Sequence, residues 1–447
     1  MATTVDEVTD LLQHLIRNAC VNDGTAVSGQ EVRTVDVLQS YLEGGGLDVE
    51  RYEPVPGRAS LVTRIEGSDP NAPSLCLMGH SDVVPVNENG WTRDPFGGEL
   101  VDGVVWGRGA VDMLNLTSSM AVAVKHLADS GFRPKGTLVY TAVADEEALG
   151  THGAKWLVEH ERDAVVTDYV VTEMGGMRMP LPSPSGPKLP VMVAEKGTYW
   201  CRLTVKGTPG HGSMPLRTDN AVVKAAVIVQ RLAEFRPEAQ MHDVWRRFVD
   251  AADLLPELRE TLLDPEKVVA FAETFPDVGM ARMVHAATHT TISPNIVHGG
   301  QKTNIIPDRV DLELDIRTLP GQTSGDVRAM LADALGPELF ASVDITAQSD
   351  DESTASSLDN PLWDSITKVT EAMVPGTRTM PFLLVGATDA RFFRRAGSIA
   401  YGYGLFSERI PFAQFMSMFH GDDERVDQES LELSTNLWEA LATDLLT

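Results

Sequence analysis

Residues 74–85 read SLCLMGHSDVVP, an apolar run that ends in a histidine and an aspartate. Two similar runs follow, GTLVYTAVADEE at residues 136–147 and DYVVTE at residues 168–173. Short runs of apolar and β-branched residues predict buried strands. Helical stretches such as Leu116 to Ala128 separate these runs. The alternation therefore predicts an α/β sheet with helices on its faces, in which acidic or imidazole side chains follow the strands.

The organisation of the chain changes after residue 194. Between residues 195 and 318, two strand-like ends enclose long helical stretches that include Asn220 to Phe235, which predicts an inserted α+β unit. Strand and helix patterns alternate again to the end of the chain, so the first domain is expected to resume there. The predicted domains are residues 1–194 together with 319–447, interrupted by residues 195–318.

The composition limits the classes of protein and partner. The 447 residues suffice for two domains, and 43% hydrophobic with 23% charged residues is typical of a globular chain. A formal charge of −27 repels phosphate backbones and anionic lipids, so neither nucleic acid nor a membrane is an expected partner. Three widely spaced cysteines and an acidic start to the sequence predict a cytoplasmic protein without disulfide bonds.

The residues that follow the strands suggest a metal site. The carboxyl ends of strands in an open α/β sheet lie at one edge, so residues after different strands can meet there. Singly, each feature has an ordinary explanation: His-x-Asp is typical of a surface pair, and Asp112 could cap the helix that follows it. Together they suit two zinc ions, each of which takes about four N or O ligands, with one carboxylate shared. The predicted ligands are His80, Asp112, Glu147, Glu173 and His420, with Asp112 as the bridge.

Two further acids are assigned other roles. Neighbours in an extended segment point to opposite sides, so only one of Glu146 and Glu147 can ligate. Glu146 is predicted to be the general base, because it would lie beside a water whose pKa is lowered by zinc. Asp82 returns to the same side of the chain as His80, so its carboxylate is predicted to accept the second imidazole N–H.

The order of these segments closely resembles that of a known family. The chain carries GHSDVVP, GRGAVDM, ADEEALG, VTEMGG, GHGSMP, NIIPDRVDLELDIR, GATDARFF and FHGDDE over nearly its whole length. They resemble the di-zinc family of acetylornithine deacetylase, succinyl-diaminopimelate desuccinylase, aminoacylase and glutamate carboxypeptidase. The resemblance implies a zinc-peptidase-like catalytic domain, with a mixed sheet flanked by helices, and an inserted lid domain that mediates homodimerisation. The family's ligands, general base and supporting aspartate fall on the residues assigned above.

The resemblance also implies roles for residues elsewhere in the chain. His211 matches a lid histidine that reaches into the partner subunit's site and stabilises the oxyanion. Asn304 and Arg317 match lid positions that bind substrate; a guanidinium suits a carboxylate, although a strand salt bridge is the ordinary explanation for such an arginine. Gly386 matches a turn whose backbone N–H groups approach the substrate carboxylate. The family often has a cis peptide after the bridging aspartate, which is expected here at Asp112–Met113.

The predicted function is hydrolysis of the amide bond of N-acyl-amino acids with two zinc ions, or with cobalt or manganese, since N and O ligands accept all three. A dipeptidase or carboxypeptidase is the second hypothesis, because a peptide with a free C-terminus presents the same bond. The third is an inactive binding protein on this fold, which predicts the loss of a ligand or of the base. Leu114 and Asn115 stand where many members carry Lys-Gly, and this departure leaves the branch of the family open.

Overall fold

The computed structural model describes residues 3–43, 47–87 and 89–447. The helices are α1 Thr4–Arg17, α2 Val32–Glu43, α3 Leu114–Asp129, α4 Ala154–His160, α5 Arg162–Val165, α6 Ala221–Glu234, α7 Asp243–Ala252, α8 Pro256–Leu263, α9 Pro265–Thr274, α10 Val278–Thr288, α11 Ser324–Phe340, α12 Pro361–Met373, α13 Ala390–Ala396, α14 Phe412–Met418 and α15 Gln428–Leu446.

The strands are β1 Val49–Val55, β2 Arg58–Ile65, β3 Leu75–His80, β4 Glu99–Val101, β5 Val104–Trp106, β6 Leu138–Val143, β7 Tyr169–Thr172, β8 Lys188–Glu195, β9 Gly197–Lys206, β10 Gly210–His211, β11 Thr291–Gly299, β12 Ile305–Ile306, β13 Arg309–Thr318, β14 Val343–Asp351, β15 Thr354–Ala355, β16 Arg378–Leu384, β17 Ile399–Gly402 and β18 Arg425–Asp427.

The larger sheet has the strand order β1-β2-β6-β3-β7-β17-β8-β15, with β16 also paired to β8. Its centre is parallel, because β3 runs parallel to both β6 and β7, and β17 runs parallel to β7. The pairs β1–β2 and β2–β6 are antiparallel, so the sheet is mixed. The predicted α/β class with a mixed sheet is confirmed, and the three runs quoted at the outset become β3, β6 and β7.

Helices cover both faces of this sheet, and the strand sequences explain why. Successive side chains of a strand point to opposite faces. In β3, Leu75 and Leu77 therefore join the core beneath α1, α3 and α15, whereas Cys76 and Met78 join a second core beneath α4 and α13. The strand is apolar throughout because both of its faces are buried.

The smaller sheet has the strand order β11-β13-β9-β14, and α6 and α11 cover one of its faces. This arrangement changes the predicted domain boundary. The prediction ended the inserted unit at residue 318, but β14 pairs with β9, and Val327, Leu331 and Leu335 of α11 lie in the core of the smaller sheet. The second unit therefore continues to the end of β14, because its sheet needs a fourth strand and a second covering helix.

A second correction concerns helices α7–α10, which the prediction placed in the inserted unit. Trp245 and Phe248 of α7 pack with Met192 of β8 and with Met380 and Phe382 of β16, all of which belong to the larger sheet. The chain on both sides of these helices belongs to the second unit. The helices themselves share an apolar core with strands of the first unit. The sequence pattern did not indicate this, because amphipathic helices do not specify which apolar surface they cover.

Within the described residues, no helix combines the length and apolar character needed to cross a membrane.

Candidate metal centre

The predicted metal ligands meet at one edge of the larger sheet. His80 is the last residue of β3, Glu147 lies in a 3-10 turn shortly after β6, and Glu173 directly follows β7. Because β6, β3 and β7 are adjacent and parallel, their carboxyl ends lie side by side. Asp112 precedes α3 and His420 follows α14, and both reach the same edge.

The candidate ligands form two groups that share Asp112. The first group, His80, Asp112 and Glu173, is buried. The Nε2 atom of His80 lies 3.2 Å from Oδ1 of Asp112 and 3.7 Å from Oε2 of Glu173. The second group shares Asp112: Nε2 of His420 lies 3.3 Å from Oδ2 of Asp112 and 3.3 Å from Oε2 of Glu147. Within each group the candidate ligand atoms lie within 4.8 Å of one another. Each oxygen of Asp112 therefore faces a different histidine, as a bridging carboxylate would.

The chemistry of these groups fits bound cations. Burial raises the pKa values of Glu147 and Glu173 to about 7, because neighbouring carboxylates in a desolvated site resist ionisation together. Among the described residues, Oε1 of Glu147 is buried without a hydrogen-bond partner. Divalent cations would satisfy that oxygen and offset the repulsion between the carboxylates. Hydrogen bonds to Asp112 and Glu147 raise the pKa of His420 to about 10, so these carboxylates attract positive charge.

A buried glutamate that the sequence analysis missed supports the loop that carries Asp112. The Glu424 carboxylate accepts hydrogen bonds from the backbone N–H groups of Gly109 (3.0 Å), Val111 (2.6 Å) and Asp112 (2.9 Å) and from the guanidinium of Arg108 (2.9 Å). These four bonds fix the loop in front of α3. Glu424 belongs to the FHGDDE segment, but the sequence of three consecutive acids does not indicate which of them is buried. The expected cis peptide is present at Asp112–Met113.

The surroundings of His80 differ from the prediction in one respect. Its Nδ1 atom lies 3.0 Å from the backbone oxygen of Asp82 but 3.6 Å from the carboxylate, beyond hydrogen-bond distance. The Asp82 carboxylate instead accepts from Asn22 (2.8 Å) and from the backbone N–H groups of Glu146 (3.2 Å) and Glu147 (3.1 Å). Asp82 therefore joins the β3 end to the turn that carries both glutamates.

Glu146 and Glu147 also lie in a different backbone conformation from the extended one assumed. They begin a 3-10 turn, Glu146–Ala148, after Asp145, whose φ is 72°. Glu147 is directed to His420, whereas, within the described residues, no hydrogen bond engages the Glu146 carboxylate. Burial raises the pKa of Glu146, and the nearby Glu173 carboxylate raises it further.

A buried aspartate that the sequence analysis passed over lies near Glu146. Asp389 is 2% exposed, and within the described residues neither of its carboxylate oxygens has a hydrogen-bond partner. Burial raises its pKa to about 7. Asp389 is part of the GATDARFF motif, from which only Gly386 was selected, because a carboxylate before a helix usually indicates a cap.

Within the described residues, no hydrogen bond or ion pair joins the remaining predicted site residues to the five candidate ligands. His211 and Asn304 are exposed and adjacent, since Gly212 N–H donates to the Asn304 oxygen at 2.9 Å. Arg317 lies on β13, where its guanidinium binds Asp315 at 2.7 Å and Thr198 at 2.7 Å. Gly386 lies in the turn after β16, and a Cβ added there would meet no atom within 4 Å.

The chain is similar to known proteins in sequence and in fold. The sequence model described as Peptidase family M20/M25/M40 matches residues 76–444. Aminoacylase-1 of Sus scrofa is 25% identical over 420 residues, which cover 92% of this chain and 90% of that protein. The succinyl-diaminopimelate desuccinylase of Maricaulis maris is 32% identical over 227 residues, or 50% and 53% of the two chains. The M20 family metallo-carboxypeptidase Sso-CP2 of Sulfolobus solfataricus has the same fold, with a TM-score of 0.72, 18% identity, and coverage of 100% and 99%.

Proposed function

We propose that this chain, which belongs to Peptidase family M20/M25/M40, hydrolyses the amide bond of N-acyl-amino acids with the help of two zinc ions. The chain is a hydrolase that acts on amide or peptide bonds, as its aminoacylase and desuccinylase relatives are named for doing. The observation that carries the proposal is the Asp112 carboxylate, which lies between two histidines that each have a glutamate beside them.

The residues at the centre suit two zinc ions. One ion would be held by His80, Asp112 and Glu173, and the other by Asp112, Glu147 and His420. The family includes dinuclear metal-binding peptidases. When bound, the two ions supply Lewis acidity that polarises the scissile carbonyl and lowers the pKa of a water molecule.

Glu146 is the proposed general base. Its side chain is half-buried near the metal ligands, and within the described residues its carboxylate accepts no hydrogen bond, so it is free to accept a proton from the attacking water. The same carboxyl group then donates that proton to the leaving nitrogen. Addition of water to the carbonyl carbon and cleavage of the C–N bond release a free amine and a carboxylic acid.

Substrate orientation is assigned to residues outside the metal centre. The Arg317 guanidinium would bind the substrate carboxylate bidentately, which requires exchange of its present pair with Asp315. Asn304 and the backbone at Gly386 would contribute further hydrogen bonds. His211 would stabilise the oxyanion of the partner subunit's site, and its exposed position next to Asn304 is consistent with that role.

A homodimer through the second unit is part of this proposal. Strand β11 is at the edge of the smaller sheet, and its Val297 is 61% exposed. The neighbouring helix α6 exposes Val223 at 60%, together with Val222 and Val227. An exposed edge strand beside apolar side chains is suited to pairing with a second copy.

A substrate screen tests the proposed function. Metal-replete protein would be assayed with acetylated, succinylated and long-chain acyl amino acids and with a panel of dipeptides. We expect turnover of acyl amino acids. Turnover of the peptides alone would assign the chain as a dipeptidase or carboxypeptidase, and no turnover with both metals bound would support an inactive binding protein.

A further inference from the structure

A buried arginine outside the proposed site contacts three segments that surround it. Arg391 lies in α13 and is 3% exposed. Its Nε donates to Oδ2 of Asp351 at 3.0 Å, its Nη2 donates to the backbone oxygen of Leu149 at 3.0 Å, and its Nη1 donates to the backbone oxygen of Thr388. All three nitrogen atoms of the guanidinium are therefore used.

Each of the three Arg391 hydrogen bonds reaches a different segment around the proposed site. Leu149 ends the 3-10 turn that carries Glu146 and Glu147. Thr388 is in the turn that contains Gly386. Asp351 is the last residue of β14, where the chain leaves the second unit. One side chain thus joins the base-bearing turn, a proposed substrate-binding turn and a connection between the two units.

The start of α13 also packs against Gly150, which directly follows the base-bearing turn and Leu149. A Cβ added to Gly150 would lie 2.2 Å from Oδ1 of Asp389 and 3.0 Å from Phe392. Gly150 has a φ of +67° and Leu149 a φ of 76°. The loop therefore has a conformation unfavourable for most residues and is held closely by this helix.

The two neighbouring arginines of α13 provide a comparison. Arg394 lies 3.3 Å from Glu195, where the chain enters the second unit, and Arg395 lies 2.5 Å from Asp351. Both contact the connections between the units. Among the described residues, neither donates a hydrogen bond to the base-bearing turn, whereas Arg391 contacts that turn and Asp351 together.

We propose that Arg391 is a positioning residue that couples the placement of the second unit to that of Glu146. Movement of the β14 connection shifts Asp351, and the rigid guanidinium transmits that shift to the Leu149 carbonyl, three residues from the base. The inference rests on the proposed function, because it takes Glu146 as the base. Under this proposal, the position of Glu146 depends on the position of the second unit. The same unit carries Arg317, the proposed ligand of the substrate carboxylate.

The test compares Arg391→Met with Arg395→Met. Both variants remove a cation that pairs with Asp351, but within the described part of the chain Arg395 donates no hydrogen bond to the base-bearing turn. We expect R391M to lower kcat by roughly 10- to 100-fold, because small misplacements of a catalytic group have effects of this size. Metal content should stay near the wild-type value, the fall in kcat should exceed any rise in KM that comes from the lost contact with Thr388, and R395M should retain kcat. Added guanidinium should partly restore the kcat of R391M.

Hydrogen–deuterium exchange of metal-loaded protein gives a readout independent of turnover. Backbone amides in residues 145–151 should exchange faster in R391M than in R395M. A wild-type kcat together with wild-type exchange in R391M would overturn the inference. If wild-type protein turns over no substrate, the proposed function fails while the exchange comparison still tests the coupling.

A second variant covers the case in which R391M does not fold. Asp351→Asn weakens the pairs with both arginines, whereas R395M removes one of them. A larger loss of kcat and a larger gain in exchange for D351N than for R395M would support the coupling. Equal effects of the two variants would contradict it.

Discussion

Glu146 and Glu147 are identical side chains at adjacent positions, yet their surroundings differ. Glu147 lies 3.3 Å from His420, and its second oxygen is buried without a hydrogen-bond partner in the described part of the chain. The Glu146 carboxylate is not engaged by a hydrogen bond within the described residues. The turn Glu146–Ala148 produces this difference, because it directs consecutive side chains away from each other. One glutamate is thereby suited to ligation and the other to proton transfer.

Replacement of each glutamate by glutamine separates these roles. We expect Glu146→Gln to lower kcat by roughly 10²- to 10⁴-fold, the usual contribution of a general base, with metal content near the wild-type value. Glu147→Gln should instead lose metal, because an amide is a weaker ligand than a carboxylate. Steady-state rates and metal per chain would be measured for both. Metal loss in Glu146→Gln together with normal metal content in Glu147→Gln would show that the roles are exchanged.

At the scale of elements, three helices of the first unit are joined by one imidazole. His126 of α3 lies 2.9 Å from Glu7 of α1 through Nε2 and 2.9 Å from Glu439 of α15 through Nδ1. Tyr41 of α2 donates to the other oxygen of Glu7 at 2.7 Å. Partial burial opposes the charged imidazole, but hydrogen bonds to Glu7 and Glu439 outweigh it and raise the pKa of His126.

This cluster predicts a pH-dependent contribution to stability. Because the pKa of His126 is raised by folding, its contribution is complete below the unfolded value of 6.5 and is lost as pH rises through the folded value. His126→Gln should therefore lower the free energy of unfolding by up to about 1 kcal/mol at low pH, with a smaller difference at high pH. Urea unfolding from about pH 6 to about pH 9 measures this.

The matched control for that series is His14→Gln. His14 is exposed on α1, and within the described residues it makes no ion pair. The His14 variant should follow the wild-type pH profile. A pH-independent difference between wild type and the His126 variant would mean that packing, and not charge, accounts for the effect.

At the scale of the whole molecule, we propose that each active site draws residues from two subunits. His211 and Asn304 lie together on the second unit and are exposed, whereas the candidate metal ligands lie at the edge of the larger sheet. Contribution of His211 to the partner subunit's site would account for its exposure. The exposed apolar residues of α6 and β11 provide a surface for such pairing.

Mixed dimers test this arrangement directly. Glu146→Gln lacks the base and His211→Ala lacks the proposed oxyanion donor, so each homodimer should have low activity. After exchange of subunits, one site of each hybrid dimer combines Glu146 with His211 from the other chain. An equal mixture should then recover about a quarter of the wild-type rate. No recovery, with hybrid dimers verified by mass, would remove the proposed role of His211.

The sequence by itself predicted three strands at the centre of the larger sheet, helices such as α3 and α6, and the set of candidate metal residues. Local periodicity sufficed for β3, β6 and β7, because strands buried on both faces are apolar throughout. Because the carboxyl ends of strands lie at one edge of such a sheet, His80, Glu147 and Glu173 were predicted to converge there, and they lie after the adjacent parallel strands β3, β6 and β7. The predicted roles in catalysis and substrate binding remain proposals.

The tertiary structure alone decided which surfaces the elements cover and which polar groups support the site. Helix α7 packs on the larger sheet with α8–α10 in the same apolar core, and α11 with β14 completes the smaller sheet. Glu424 and Arg391 hold loops of the proposed site through hydrogen bonds to residues hundreds of positions away in the sequence. Their roles can therefore be inferred from the folded structure alone. An amphipathic helix or a buried charge leaves a local pattern that many partners would satisfy, so the choice among partners is made by packing and hydrogen bonding across the whole chain.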